Sequence, residues 1–109
     1  MNKITFIGAG SIVFAKNVLG DCLRTPALQG FELALFDIDI QRLLDSENML
    51  NNIKTSSGST CTIKAYSDRK EALRGAKYII NAIQVCGYDP CTITDFEIPK
   101  KYGLRQTIA

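Results

Sequence analysis

Short apolar runs alternate with segments of helical periodicity along the chain, and this alternation predicts an α/β fold. The apolar runs predict four strands, at residues 4–7, 31–36, 60–66 and 78–83. About five helices are predicted between and after them, because apolar residues recur there at helical spacing. The run from Tyr78 to Ile83 is nearly continuously apolar, so we expect that strand to be buried on both faces. The pattern is typical of a doubly wound, Rossmann-like parallel sheet with the strand order 3-2-1-4.

The first helical segment has an apolar stripe at Phe14, Val18 and Cys22, with Ala15 and Leu19 beside it. This helix should end before Pro26, because proline disfavours a helical conformation in the residue that precedes it. Ser11 stands just before the segment and is suited to cap it.

Polar residues and prolines also predict the ends of the later helices. Asp39 and Asp68 are suited to cap the second and third helices. The polar cluster at residues 55–59 predicts the turn that follows the second helix. Asp89, followed by a proline, predicts the start of the last helix, which Pro99 should kink or interrupt.

Gly8 and Gly10 lie one residue apart, between the first predicted strand and the first predicted helix. In this context Gly8 permits a tight turn, and Gly10 removes a side chain that would keep a phosphate from the helix N-terminus. Unpaired N–H groups and the positive end of the helix dipole would meet the anion there. The third glycine of the usual dinucleotide fingerprint is replaced by Val13, and a purely structural turn is the alternative.

A carboxylate, Asp37, ends the second strand near the position expected for an acid that binds the adenosine ribose. Together with the glycine loop, Asp37 predicts a dinucleotide site. The alternative is that Asp37 and Asp39 only cap the next helix. A carboxylate here favours NAD over NADP because it would repel a 2′-phosphate, although Arg42, one turn into that helix, would weaken the preference.

The end of the fourth strand opens the crevice in which cofactor and substrate meet in sheets of this type. Asn81 and Gln84 lie there and are able to hydrogen-bond a ribose or a nicotinamide. A satisfied buried amide is an equally good interpretation of Asn81. Cys86 and Cys91 could bind a metal or form a disulfide, but two incidental thiols are the simpler interpretation.

Composition narrows the class of protein. The 109 residues are enough for one domain, and a net charge of +2 with scattered Lys and Arg gives little support for a nucleic-acid partner. No apolar stretch is long enough to span a bilayer, and the N-terminus has no signal-peptide pattern. The four cysteines form no C-x-x-C pair and the chain has no histidine, so we expect free thiols in the cytoplasm and no ordinary zinc site.

Four stretches, "ITFIGAGSIVFAKN", "ALFDID", "KEALRGAKYIINAIQVCGYDPCTITDFEIPKKYGL" and the closing "RQTIA", resemble the N-terminus of glycoside hydrolase family 4. Within that family they are most similar to the bacterial α-galactosidase (melibiase) branch. The resemblance covers nearly the whole chain and is ordered throughout, so it is far more specific than the glycine motif alone.

The resemblance implies that the parent protein hydrolyses α-galactosides with NAD⁺ and a divalent metal, usually manganese. In that family the sugar C3 hydroxyl is oxidised, the C2 proton is removed, and the glycosidic bond breaks by elimination before water adds and C3 is reduced again. The family's metal-binding cysteine and histidine, its substrate-binding asparagine and its tyrosine base are expected outside this chain. The 109 residues alone are therefore expected to be inactive in hydrolysis.

The resemblance also implies a role for individual residues of this chain. Those expected at the pyrophosphate loop are Gly8, Gly10, Ser11 and Phe14. Asp37 would bind the adenosine ribose. The residues expected to line the cofactor toward the nicotinamide are Asn81, Ile83 and Gln84. Cys86 stands where the family pattern has glycine, which would narrow or stiffen that loop.

The chain stops at Ala109, where a fifth strand would start, so we expect a fragment in residues 1–109 whose fourth strand has an unpaired apolar edge. Such an edge predicts a homo-oligomer. Two other functions fit the fold: the NAD domain of a malate- or lactate-type dehydrogenase, and a non-catalytic nucleotide-binding or regulatory domain. The absence of a basic residue at 85–94 argues against the dehydrogenase, which would clamp a carboxylate there.

Overall fold

The computed structural model describes residues 2–83 and 87–106. Its sheet consists of β1 (Lys3–Ile7), β2 (Glu32–Phe36), β3 (Thr62–Tyr66) and β4 (Tyr78–Asn81). The strands lie in the order β3-β2-β1-β4, and each neighbouring pair is parallel. The predicted α/β class and strand order are therefore confirmed.

The helices follow the strands in the alternation that the sequence predicts. They are α1 (Ile12–Arg24), α2 (Ile40–Ser57), α3 (Arg69–Leu73) and α4 (Ile93–Lys100). A single 3₁₀ turn, Pro26–Leu28, follows α1, and a π-helical segment, Gly87–Thr92, leads into α4. α1 ends before Pro26, as predicted.

One face of the sheet carries the apolar core, on which α1 and α2 pack. Its largest buried members include Phe6, Leu19, Leu23, Leu33, Leu35, Leu43 and Leu50. The predicted stripe of α1 is confirmed except at Phe14, which is 56% exposed. The buried side of the helix is centred one position further along, since Ala15, Leu19 and Leu23 are fully buried while Val18 and Cys22 are partly buried against the core. Two neighbouring stripes of α1 are apolar at the same spacing, so periodicity alone does not say which one the sheet covers.

The opposite face of the sheet is held by hydrogen bonds to α3. The Thr5 hydroxyl donates to the carbonyl oxygen of Ala72 at 2.6 Å. The buried ammonium group of Lys3 donates to the carbonyl oxygens of Glu71 and Arg74, at 3.0 and 2.9 Å. These carbonyls lie at the C-terminal end of a helix, where a positive charge is favourable. Lys3 therefore attaches α3 to the first strand.

The same lysine belongs to a polar cluster that joins three strands. Its ammonium nitrogen lies 3.7 Å from a carboxylate oxygen of Glu32 and 4.6 Å from the centre of the Tyr66 ring. The Tyr66 hydroxyl donates to Glu32 at 2.6 Å, and this hydrogen bond raises the pKa of Tyr66 to about 12. β1, β2 and β3 are thus linked on this face without a layer of large apolar side chains.

Two of the predicted side-chain caps are confirmed. Asp39 accepts a hydrogen bond from the Arg42 N–H at 3.1 Å, and Asp68 accepts one from the Lys70 N–H at 2.9 Å. The polar cluster at residues 55–59 was expected to be a turn, but α2 continues through Ser57 and stops at Gly58, whose φ is +69°. The hydroxyls of Thr55 and Ser57 donate to main-chain carbonyl oxygens of the preceding turn, at 3.0 and 3.3 Å, so the polar composition does not end the helix.

The last helix begins where it was predicted to begin, but Pro99 does not interrupt it. Asp89 has extended backbone angles (φ −113°, ψ 116°), as expected of a residue that precedes a helix, and the helical segment after it leads through Thr92 into α4 at Ile93. Pro99 lies in the final turn of α4 and does not interrupt it, because the helix ends one residue later, at Lys100.

Strand β4 is not buried on both faces, which contradicts the prediction. Tyr78 is 52% exposed and Ile79 is 58% exposed. The reason is topological: within the described residues β4 pairs only with β1, so one edge and much of both faces remain open. β3, at the other edge of the sheet, carries Lys64, whereas β4 has no charged residue. An apolar edge without a charge is prone to pair with another strand.

We expect the chain to self-associate at micromolar concentration through the open edge of β4. Ile79→Lys should shift the population toward monomer in analytical ultracentrifugation, because the ammonium group opposes edge-to-edge pairing. Thr62→Lys, on the exposed start of β3, is the matched control and should leave the association unchanged. A wild-type chain that sediments only as monomer would contradict the expectation.

Candidate functional site

Residues 8–11 form a tight turn between β1 and α1. The N–H groups of Gly8 and Ala9 both donate to the carbonyl oxygen of Phe36, at 2.9 and 3.0 Å. The Ser11 N–H donates to the Gly8 carbonyl at 3.0 Å. The loop is therefore tied to the end of β2, and these three N–H groups are satisfied within the protein.

Gly8 allows the end of β4 to approach this loop. Its φ is +93°, and a Cβ at this position would lie 2.6 Å from the carbonyl oxygen of Ala82 and 3.1 Å from the Ile83 nitrogen. Both observations require glycine, since an L side chain would be strained and would overlap the neighbouring main chain. The predicted role of Gly8 in a tight turn is therefore confirmed.

Gly10 approaches a carboxylate. Its N–H donates to Oδ2 of Asp37 at 2.8 Å, while the Asp39 N–H donates to Oδ1 of Asp37 at 2.8 Å. A Cβ on Gly10 would lie 2.7 Å from Asp37 Oδ2 and 3.0 Å from the Arg42 Cβ. The group for which Gly10 leaves room in this structure is thus the Asp37 carboxylate, and room for a phosphate stays a prediction.

The N-terminus of α1 presents unpaired donors beside this loop. Ser11 occupies the N-cap position, but its side chain makes no capping hydrogen bond, so the predicted hydroxyl cap is wrong. The Ala15 N–H is bonded to the Ser11 carbonyl at 2.9 Å. An α-helix leaves the N–H groups before that residue without helical partners, here those of Ile12, Val13 and Phe14. Such donors, with the helix dipole, are suited to bind an anion.

Side chains at the start of α1 leave this site open. Val13, in the position of the missing third glycine, is 72% exposed, and Phe14 is also exposed. Neither therefore packs between helix and sheet, where the third glycine of the fingerprint is normally needed. The Val13 side chain is compatible with this geometry because it points away from the sheet.

The end of β4 reaches the same edge of the sheet. Asn81 is exposed, so its interpretation as a buried amide is wrong; as an edge strand, β4 does not enclose it. The Ile83 N–H donates to the Asn81 side-chain oxygen at 3.4 Å, a long hydrogen bond that leaves the amide accessible. Gln84 and Cys86 lie outside the described residues.

Charges around Asp37 are partly compensated. The Arg42 guanidinium lies 3.9 Å from Asp39 Oδ2, and both side chains are largely exposed. The Arg42 side chain therefore pairs with Asp39 in this structure, and the Asp37 carboxylate is held by main-chain N–H groups.

The structure brings most of the predicted site residues to the carboxyl ends of the strands. These are Gly8, Gly10, Ser11, Asp37, Asn81 and Ile83. Phe14 lies on α1, about one helical turn beyond Ser11. The roles assigned to these residues in cofactor binding stay predictions.

One residue of this region was missed by sequence reasoning. The Ser46 hydroxyl, on α2, donates to the Ala9 carbonyl at 2.5 Å, and both residues are fully buried. A signal existed, because Ser46 interrupts the buried stripe that contains Leu43 and Leu50 with a polar side chain.

The donor set does not fit a divalent metal. Among residues 2–83 and 87–106, no three His, Cys, Asp or Glu side chains are grouped so as to hold an ion. Cys22 lies in the opposite part of the molecule, where burial raises the pKa of its thiol, with smaller contributions from Cys61 and Asp21. No chemical step is therefore assigned to a metal bound by this chain. Within residues 2–83 and 87–106, no helix combines the length and apolar character needed to cross a bilayer.

Comparison with protein families agrees with this architecture. The model of the family described as "Family 4 glycosyl hydrolase" matches residues 3–109. The chain is 64% identical, over all 109 residues, to an alpha-galactosidase of Bacillus subtilis (strain 168), of which it covers 25%. It is 38% identical over 106 residues, 97% of the chain, to an alpha-galactosidase of Rhizobium meliloti (strain 1021), of which it covers 21%.

More distant relatives extend the comparison. The chain is 35% identical over 104 residues, 95% of its length, to an alpha-glucosidase of Erwinia rhapontici, of which it covers 23%. Among solved structures, the lplD protein of Bacillus subtilis superposes with a TM-score of 0.75 at 28% identity. That match covers 97% of this chain and 23% of the solved one, and it confirms the Rossmann-like fold. The chain thus spans about a quarter of the length of the relatives it matches.

Gly10→Ala should destabilise the protein by about 1–3 kcal/mol, because the added methyl group would overlap the Asp37 carboxylate and force it or α2 to move. Gly20→Ala is the control: its Cβ would meet nothing closer than 3.9 Å, and alanine in a helix interior should stabilise by roughly 0.5–1 kcal/mol. Urea unfolding measures both. A Gly10→Ala variant as stable as wild type would contradict the close approach.

Proposed function

This chain belongs to glycosyl hydrolase family 4, and we propose that it forms the NAD-binding part of an α-galactosidase. Two of the relatives named above are alpha-galactosidases, at 64% and 38% identity, which supports the galactoside over the glucoside. Because the chain spans only about a quarter of these relatives, the activity and the sugar substrate of a complete protein are part of the proposal.

The observation that carries the proposal is the juxtaposition of the α1 N-terminus with the Asp37 carboxylate. A diphosphate would accept hydrogen bonds from the N–H groups of residues 12–14, each worth about 1.5–3 kcal/mol for a charged acceptor. Each Asp37 oxygen already accepts one N–H, and a carboxylate oxygen has a further lone pair for a ribose hydroxyl. The N-terminus of α1 thus offers donors for the diphosphate, and Asp37 at the end of β2 offers an acceptor for the ribose hydroxyl.

The proposed cofactor is NAD rather than NADP. A 2′-phosphate on the adenosine ribose would meet the Asp37 carboxylate, and two like charges in contact are unfavourable. Arg42 is the basic residue that would accommodate the phosphate, but the two carboxylates of Asp37 and Asp39 outnumber it, and its 3.9 Å pair with Asp39 is exposed and weak. The charge balance at this end of the site therefore favours the unphosphorylated ribose.

We propose that this chain binds and orients the adenosine half of the cofactor, while other parts of the complete protein supply the rest of the site. When bound in such an enzyme, NAD and a divalent metal, usually manganese, would supply oxidation at the sugar C3 and acidification of the neighbouring C2 proton. Asn81, Ile83 and Gln84 would line the cofactor toward the nicotinamide. The metal ligands and the catalytic base are proposed to lie outside residues 1–109.

We also propose that the protein is cytoplasmic and forms homo-oligomers. Cys22 and Cys61 are both free thiols in the structure, which suits a reducing compartment. The open apolar edge of β4 supports self-association.

Calorimetry should detect weak binding of NAD, with a Kd of about 0.1–1 mM, and ADP should bind nearly as well because the chain contacts mainly the adenosine end. NADP should bind more weakly than NAD. Asp37→Ala should weaken ADP binding about tenfold or more, since a hydrogen bond to a charged group is lost.

Asp68→Ala is the matched control for this titration. Asp68 also accepts a main-chain N–H at the start of a helix, α3, but that helix lies on the face of the sheet opposite α1. Its loss should leave ADP affinity unchanged. Strong preference for NAD over ADP, or equal ADP affinity in the Asp37→Ala variant, would contradict the assignment.

An assay with 4-nitrophenyl α-D-galactoside, NAD and Mn²⁺ tests the proposed activity. The chain alone should release no nitrophenol, because it carries neither the proposed metal ligands nor the base. A protein that contains this chain and continues beyond residue 109 should hydrolyse the α-galactoside in an NAD-dependent manner. Hydrolysis by the chain alone, or a complete protein that needs no NAD, would refute this division of roles.

A further inference from the structure

Ser46 lies on the buried face of α2, in the stripe that contains Leu43 and Leu50, and is completely inaccessible to solvent. Its hydroxyl donates to the Ala9 carbonyl oxygen at 2.5 Å. A hydroxyl in an apolar stripe is unfavourable unless it is hydrogen-bonded, so this contact accounts for a polar residue at this position.

The Ala9 carbonyl belongs to the same peptide group as the Gly10 N–H. Ser46 binds one end of this peptide, and Asp37 binds the other end at 2.8 Å. Because the peptide group is planar, fixing the direction of its carbonyl also fixes the direction of its N–H. The orientation of the Asp37 carboxylate is thus coupled to a side chain on α2 that lies beneath the loop.

We propose that Ser46 is a positioning residue for nucleotide binding, which acts by orienting the Ala9–Gly10 peptide and, through it, the Asp37 carboxylate. The inference rests on the proposed nucleotide-binding function of the loop. Among the described residues, Ser46 supplies the side-chain donor to the buried Ala9 carbonyl, and loss of this donor favours rotation of the peptide away from its present orientation. Rotation removes the Gly10 N–H from Asp37 and leaves the carboxylate to adopt other orientations.

The chain offers a matched control in Thr5. Its hydroxyl is also fully buried and also donates to a main-chain carbonyl, that of Ala72, at 2.6 Å. This bond lies on the face of the sheet that carries α3, away from the glycine loop. Removing either hydroxyl destabilises the protein through the same physical cause, but only Ser46 contacts the loop.

The experiment compares Ser46→Ala with Thr5→Val in the 109-residue chain, with ADP as the probe. Both variants should lower the midpoint of urea unfolding. Ser46→Ala should raise the Kd for ADP about fivefold to tenfold, as expected when only about a tenth to a fifth of the molecules hold the loop in its binding geometry. Thr5→Val should leave this Kd unchanged. In ¹⁵N-resolved NMR spectra, the Gly10 and Asp39 amide signals should move in Ser46→Ala alone.

A double-mutant cycle separates positioning from a general loss of stability. If Ser46 acts through Asp37, Ser46→Ala should have little further effect on ADP affinity in an Asp37→Ala background. Additive losses would overturn the inference, as would a Ser46→Ala variant that binds ADP like wild type. If Ser46→Ala does not fold, Ser46→Cys, whose somewhat larger thiol donates only weakly, takes its place with the same outcomes.

These outcomes are distinct from failure of the proposed function. A wild-type chain that does not bind ADP would refute both the nucleotide site and the role of Ser46. A wild-type chain that binds ADP and loses affinity in Asp37→Ala but not in Ser46→Ala would leave the function in place and overturn only the positioning role.

Discussion

The carboxylate of Asp37 is the contact on which the arrangement of this region depends. It accepts N–H groups from Gly10 and Asp39, and so joins the turn after β1 to the turn after β2. Glycine at position 10 is required because the carboxylate occupies the space that a Cβ would take. The interaction also leaves Asp37 at the edge of the sheet beside the open N-terminus of α1, where a ribose and a diphosphate would lie side by side.

The two faces of the sheet are stabilised by different means. α1 and α2 bury aliphatic and aromatic side chains against one face, whereas α3 is held on the other by Lys3 and Thr5 through its main-chain carbonyls. A buried ammonium group is tolerated there because it has two carbonyl acceptors and a nearby carboxylate, that of Glu32. Directional contacts of this kind set the position of a five-residue helix that is too short to bury a wide apolar stripe.

Local sequence signals were sufficient where the structure depends on neighbours in the chain. The caps at Asp39 and Asp68 and the end of α1 before Pro26 follow from short-range hydrogen bonds and backbone sterics. The sequence-based predictions were wrong where the burial of a residue depends on elements that are distant in the chain. Phe14 and Ala15 belong to adjacent stripes of equal spacing, and only packing on the sheet selects one. An apolar run such as β4 is buried only if another element covers it.

Ser11, Phe14 and Ile83 were assigned to the site through the family resemblance. The sequence by itself determined the α/β alternation and the parallel strand order, because hydrophobic periodicity and crossover handedness restrict the topology, and it placed the glycine loop and Asp37 at the carboxyl ends of the strands. It did not determine which partner each of these residues meets. That Gly10 faces Asp37, and that Ser46 holds the Ala9 carbonyl, were decided by the packing of α2 against the loop. The partners in these two contacts are 27 and 37 positions apart in the chain. Whether they come within hydrogen-bond distance is decided by differences of a few tenths of an ångström, which only the assembled tertiary structure sets.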